Sequence, residues 1–162
     1  MKHLPIIIFF FLIKTSFAQQ INPNLITLNG LPFFSTQSQI LEKMGPPAKI
    51  FEPKYECGFL SEEEQGRKFF TLKYPGLPFT GNETDKYLIE EIDFSANSEI
   101  QLMYNGQAIF ANMTIEKLSA VFGVDFEPNS VEKLIYFEGT DDGFVFQFKD
   151  GKLINVSYWS PC

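Results

Sequence analysis

The sequence predicts an α+β fold: two αβ repeats that share one antiparallel sheet, with short helices packed on one face. Three observations predict it. An Asn-Gly pair followed by a Thr-capped helix pattern occurs twice, strands with period-two alternation follow each copy, and Gly-containing turns separate those strands.

The chain opens with MKHLPIIIFFFLIKTSFA, residues 1–18, in which Lys2 precedes an apolar run from Leu4 to Ile13 and Ser16 and Ala18 form a small-x-small cleavage pattern. This reads as a signal peptide cut before Gln19. The apolar run is about ten residues, against roughly 20 needed to cross a hydrocarbon core, so a retained anchor is the weaker alternative. The expected mature chain is exported, periplasmic or secreted, without stable membrane insertion. Residues 19–99 form the first repeat and residues 100–162 the second, within one globular unit.

In the first repeat ITLNGLPFF leads into STQSQILEKMG, and in the second IQLMYNGQAIF leads into ANMTIEKLSAVFG. Asn29-Gly30 align with Asn105-Gly106 at an offset of 76, and Thr36, Ile40, Met44 and Gly45 align with Thr114, Leu118, Phe122 and Gly123 at 78. Thr36 with Gln39 three residues later makes a capping box, Gly45 supplies a left-handed end, and Pro46-Pro47 stop the helix. Thr114 is expected to cap the second helix, with Met113 and Leu118 as a hydrophobic staple and Gly123 as its end. Helices of two to three turns are marginal alone, so both must lie on a sheet.

The strands follow. Phe70, Leu72 and Tyr74 alternate, as do Leu88, Ile92 and Phe94 around Glu90, and PGLPFTGNETD, residues 75–85, reads as a long loop between them. Loops on rigid scaffolds are where binding residues collect, and Phe79 and Asn82 are its candidates, although a tolerated surface insertion is the plainer account. In the second repeat Phe144, Phe146 and Phe148 alternate before Asp150-Gly151, and Ile154, Val156 and Tyr158 after it. A three-residue loop from Lys149 to Gly151 would set Phe146 opposite Ile154 and Phe144 opposite Val156, keeping one apolar face.

Composition excludes several functions. The formal charge is −7, and losing Lys2 and Lys14 with the signal makes it −9, which repels nucleic acid and anionic lipid. The one histidine, His3, leaves with the signal as well, so no imidazole is available for a catalytic triad or a zinc site. Arg67 is the sole arginine, so no arginine cluster can clamp phosphate. No cofactor, no metal and no catalytic residue is expected. Glu62-Glu63-Glu64 and Asp141-Asp142 lack the spaced oxygens of a calcium loop, and Glu90 and Glu91, as strand neighbours, should point to opposite faces and so cannot flank one bond. Asn82, Asn112 and Asn155 fit the glycosylation pattern, which matters only in a eukaryotic secretory route; at Asn112 helix capping is the competing explanation.

An exported chain with two cysteines allows one intramolecular bridge, Cys57–Cys162; two free thiols or an intermolecular bond are the alternatives. Closing a loop of about 100 residues stabilises by up to about 4.7 kcal/mol in the loop-entropy account.

The block STQSQILEKMGPP ahead of antiparallel strands resembles the exported αβ modules of the SmpA/OmlA outer-membrane assembly lipoproteins, and its tandem duplication is similar to the beta-lactamase inhibitor protein family. The resemblance implies helices on one sheet face and protein binding by the other. The lipidation cysteine of the assembly lipoproteins is absent, a bridge from Cys57 to Cys162 would join the halves instead of stapling each, and no inhibitory loop motif is matched. With the helices over the Phe face, Gln147, Lys149, Asn155, Ser157 and Trp159 lie on or near the opposite face, where a tryptophan can anchor an interface or simply pack beside the bridge. The expected function is non-catalytic binding of another exported or envelope protein. The alternatives are a histidine-independent secreted enzyme and a structural envelope protein without a discrete ligand.

Overall fold

The computed structural model describes residues 20–55, 66–127 and 129–161. Residues 1–18, for which a signal peptide is expected, and both cysteines, Cys57 and Cys162, lie outside the described residues. The fold is α+β, dominated by antiparallel strands, with two eight-residue helices.

Two short hairpins turn through the two Asn-Gly pairs. β2 (Ile26–Leu28) turns through Asn29-Gly30 into β3 (Leu31–Pro32), and β10 (Leu102–Tyr104) turns through Asn105-Gly106 into β11 (Gln107–Ile109). Both turn residues have positive φ in each case, 49° and 83° against 47° and 77°, the geometry for which two-residue Asn-Gly loops are selected. The hairpins meet through β2 and β10, with Ile26 opposite Tyr104, Thr27 opposite Met103 and Leu28 opposite Leu102. Under the 76-residue offset this register maps onto itself about Thr27–Met103. The flanking bonds obey the same mapping: Asn29 N–H donates to Gln101 O at 2.9 Å and Asn105 N–H to Leu25 O at 3.0 Å.

The helices follow at equivalent places. In α1 (Gln37–Met44) Thr36 and Gln39 form the full capping box and Ile40 is completely buried. Gly45 ends it with φ 76° and ψ −168°, an extended mirror-image conformation in place of the expected left-handed helical one. α2 (Ile115–Phe122) ends at a left-handed Gly123, and Met113 and Leu118 are both buried at the staple positions, but the Thr114 side chain accepts no capping bond from the backbone. The Thr114 hydroxyl is turned to Glu116, whose carboxyl is held below its ordinary value chiefly by that bond. Asn112 is no cap either: it is exposed, has φ 63°, and its N–H donates to Leu153 O.

Beyond the hairpin sheet β11-β10-β2-β3, the strands form two five-stranded sheets. One has the order β4-β8-β7-β6-β5, from β4 (Phe34–Ser35), β5 (Lys49–Phe51), β6 (Phe70–Tyr74), β7 (Leu77–Asn82) and β8 (Lys86–Ile89). The other has the order β1-β12-β13-β14-β9, from β1 (Gln20–Ile21), β9 (Glu91–Asp93), β12 (Glu132–Phe137), β13 (Gly143–Lys149) and β14 (Lys152–Trp159), with β1 parallel to β12. Residues from all three sheets and both helices enter one apolar core.

Two strand expectations are corrected. Residues 75–85 are not a loop: they hold β7, which lies between β6 and β8, bounded by a Pro75-Gly76 turn and a Glu83–Asp85 turn. The loop-like residues each have a specific place. A Cβ at Gly81 would stand 2.0 Å from Lys86 O, so only glycine allows β8 that close. Pro78 accepts the Glu90 N–H at 3.0 Å but has no N–H to return; the Glu90 carbonyl accepts from Tyr158 N at 2.8 Å instead. At Glu90 the chain therefore passes from β7 to β14.

The β13–β14 register also differs. Asp150-Gly151, with φ 53° and 70°, is a two-residue turn that pairs Lys149 with Lys152, and a bulge at Ile154 then sets Phe146 opposite Val156 and Phe144 opposite Tyr158. The extra residue restores a single apolar face that the two-residue turn alone would have mixed. Leu153 and Val156, both fully buried, face the core in place of Ile154.

Candidate functional site

Pairing across β12, β13, β14 and β9 sorts the outward side chains of this sheet into rows. Tyr136, Gly143 and Trp159 form the first; Leu134, Val145, Ser157 and Glu91 the second; Glu132, Gln147, Asn155 and Asp93 the third. A fourth, at the turn end, is Lys149 with Lys152. The opposite side chains, Phe144, Phe146 and Val156, are buried, and Phe146 meets α2 through Phe122 at 5.3 Å. Gln147, Asn155, Ser157 and Trp159 are thus neighbours on the face turned away from α2.

Gly143 leaves room for the half-buried Trp159 ring to meet Tyr136 edge to face at 5.9 Å and 79°. Leu134 is 36% exposed in the next row. Two amides tie the face laterally: Gln147 Nε2 donates to Glu132 at 3.0 Å and Asn155 Nδ2 to Glu91 at 2.8 Å.

Phe79 and Asn82 do not join them. Phe79 is completely buried under Tyr74, and Asn82, also buried, uses Oδ1 to accept from the N–H groups of Thr84 and Asp85 and Nδ2 to donate to Asp85. Neither is available as a contact residue.

At the β9 edge the face runs into a cleft of about 310 Å³ lined by Tyr55, Thr71, Lys73, Glu90, Glu91 and Asp93, among others. Ile89 and Ile92 are both fully buried although three residues apart, so alternation breaks between them. Glu90 and Glu91 consequently both line the cleft, contrary to the expectation of opposite faces. Both Glu90 oxygens accept hydroxyl bonds, one from Tyr55 and the other from Thr80, which is itself 2.7 Å from Thr71. Burial first, then the Glu90 carboxylate, pushes the Tyr55 hydroxyl well above the ordinary tyrosine range. The Ser95 hydroxyl, helped by the backbone N–H groups of Ser95 and Ala96, holds Asp93 below its ordinary value against the effect of burial. No group of three or more metal-ligating side chains is present among the described residues.

Sequence reasoning placed Val145 opposite the Phe face but missed Leu134 and Tyr136 as its neighbours. The alternation of EKLIYF was readable as a strand, but its partner strands were needed to say which side faced outward.

Comparison with protein-family models, curated proteins and solved structures finds no match for the chain.

Proposed function

We propose that the chain is an exported, non-catalytic protein-binding module whose docking surface is the outward face of β12, β13, β14 and β9. The observation that carries this reading is the register that gathers Leu134, Tyr136, Val145, Ser157 and Trp159 into adjacent rows with polar side chains around them. Interfaces favour such an arrangement, an aromatic and aliphatic centre with a polar rim. The two αβ repeats are taken as duplicates joined across Glu90 into a shared sheet, in keeping with the symmetric β2–β10 register. The Cys57–Cys162 bridge belongs to the same reading; two alkylatable thiols in the unreduced mature protein would remove it.

A photo-reactive amino acid placed at Ser157, with a control at Glu42 on the exposed side of α1, tests the function in the native envelope or medium. A discrete adduct from Ser157 that is absent from Glu42 is expected. Equal adducts from both positions, or none from Ser157, would remove the proposed surface.

A second reading, a carboxylate-dependent enzyme, is favoured by the cleft where Glu90, Glu91 and Asp93 converge. Against it, both oxygens of Glu90 are held by hydroxyls, Glu91 is held by Asn155 and Asp93 by its own turn. General acid-base work needs a carboxyl directed at substrate.

A further inference from the structure

We propose that the partner presents an apolar side chain flanked by lysine or arginine, seated across the second and third rows of the docking face. This rests on the protein-binding reading above and adds the chemistry of the partner. The argument is the placement of charge relative to apolar surface. Val145 and Ser157 lie on the two middle strands, Leu134 and Glu132 lie together on β12 at one side, and Glu91 and Asp93 lie on β9 at the other. Three strand spacings of about 4.8 Å separate β12 from β9, so the carboxylates stand on either side of Val145 and Ser157 at a separation of about 14 Å. That span suits a strand or a helix lying across the rows.

The carboxylates are oriented but not neutralised. Glu132, Glu91 and Asp93 accept from Gln147, Asn155 and Ser95, all uncharged donors. The one ion pair among the described residues is Arg67–Asp85, away from this face. Lys149 and Lys152 stand in the next row at the turn end and Lys73 lines the cleft, and none of them is within ion-pair distance of these carboxylates. A partner without cations would strip water from three carboxylates and could return only neutral hydrogen bonds, about half as strong as those from a charged donor. Basic flanks replace the lost hydration, and the net charge, −7 for the full sequence and −9 without Lys2 and Lys14, steers such a partner toward the molecule.

A random dodecapeptide phage library panned on the immobilised mature protein tests this, with each recovered peptide then measured against three variants. Ser157→Arg blocks the face, the pair Glu91→Lys and Glu132→Lys reverses its charge, and Glu42→Lys is a remote charge control. Thermal melts of all variants must match the parent. Where the pair is less stable, Glu91→Gln with Glu132→Gln substitutes for it. The expected result is a set of binders lost with Ser157→Arg, rich in Lys or Arg beside an aliphatic or aromatic residue, weakened at least tenfold by the charge-reversed pair and unchanged by Glu42→Lys. Binders that depend on Ser157 yet carry no excess of basic residues would overturn the partner chemistry while leaving the docking face standing. If no binder depends on Ser157, the face itself is wrong and this inference goes with it.

Discussion

Thr36 and Thr114 both stand at the N-cap position of an eight-residue helix, and only one of them caps. The Thr36 hydroxyl accepts from Gln39 N at 3.2 Å and Gln39 returns a bond to the Thr36 backbone, whereas the Thr114 side chain makes no capping bond. Thr36→Ala should therefore cost about 1 kcal/mol in urea unfolding, in the usual range for a lost N-cap, and Thr114→Ala clearly less. Equal costs would mean the hydroxyls act otherwise than through the cap. Asp93 gives a second residue-level outcome, this time in pH. Its folded pKa is depressed, so its contribution is complete above the ordinary aspartate value and is lost as pH falls through the folded value. The stability gap between the parent and Asp93→Asn should hold from pH 7 down to the ordinary aspartate value and narrow only below it, and a gap that widened on acidification would contradict the bonding described at Ser95.

Among the elements, α1 was legible because capping box, apolar face and terminator lie within ten consecutive residues, all local signals. β7 was not, since Pro75, Gly76, Pro78 and Gly81 read locally as turn residues. Their fitness for a central strand depends on partners distant in sequence: β8 crowding Gly81, and Tyr158 taking the carbonyl that Pro78 cannot serve. The β13–β14 register failed for a related reason, because a bulge one residue long cannot be seen from alternation that it is there to repair. Treating residues 75–85 as a loop implies that removing 76–84 leaves the fold intact. The structure gives the opposite expectation. That deletion takes out the strand between β6 and β8 together with Leu77 and Phe79, 1% and 0% exposed, and should abolish cooperative unfolding. A sigmoidal urea curve near the parent midpoint would refute β7.

Whole-molecule organisation is where the sequence was most and least informative at once. The two matching Asn-Gly and Thr-helix blocks were visible as an offset, yet the mutual pairing of the two hairpins required the register of β2 on β10. The four polar and aromatic face residues were legible from one alternating hairpin; their carboxylate rim was not, because Glu91 and Asp93 arrive from the first repeat through the break at Glu90. The same pairings decide whether residues 19–99 and 100–162 are separable. β2–β10 and β9–β14 both cross that boundary, and the core is one cluster drawn from both sides. A chain cut in the exposed turn at Ser98 should then yield two fragments, neither of which folds alone, because each lacks a partner for strands with buried apolar faces. Mixed at equal concentration under reducing conditions, so that no thiol bond links them, they should recover strand circular dichroism and a blue-shifted Trp159 emission in a 1:1 complex. A fragment 100–162 that folds cooperatively by itself would show that the second repeat is an independent domain and that the hairpin pairing is ornament on two separate cores.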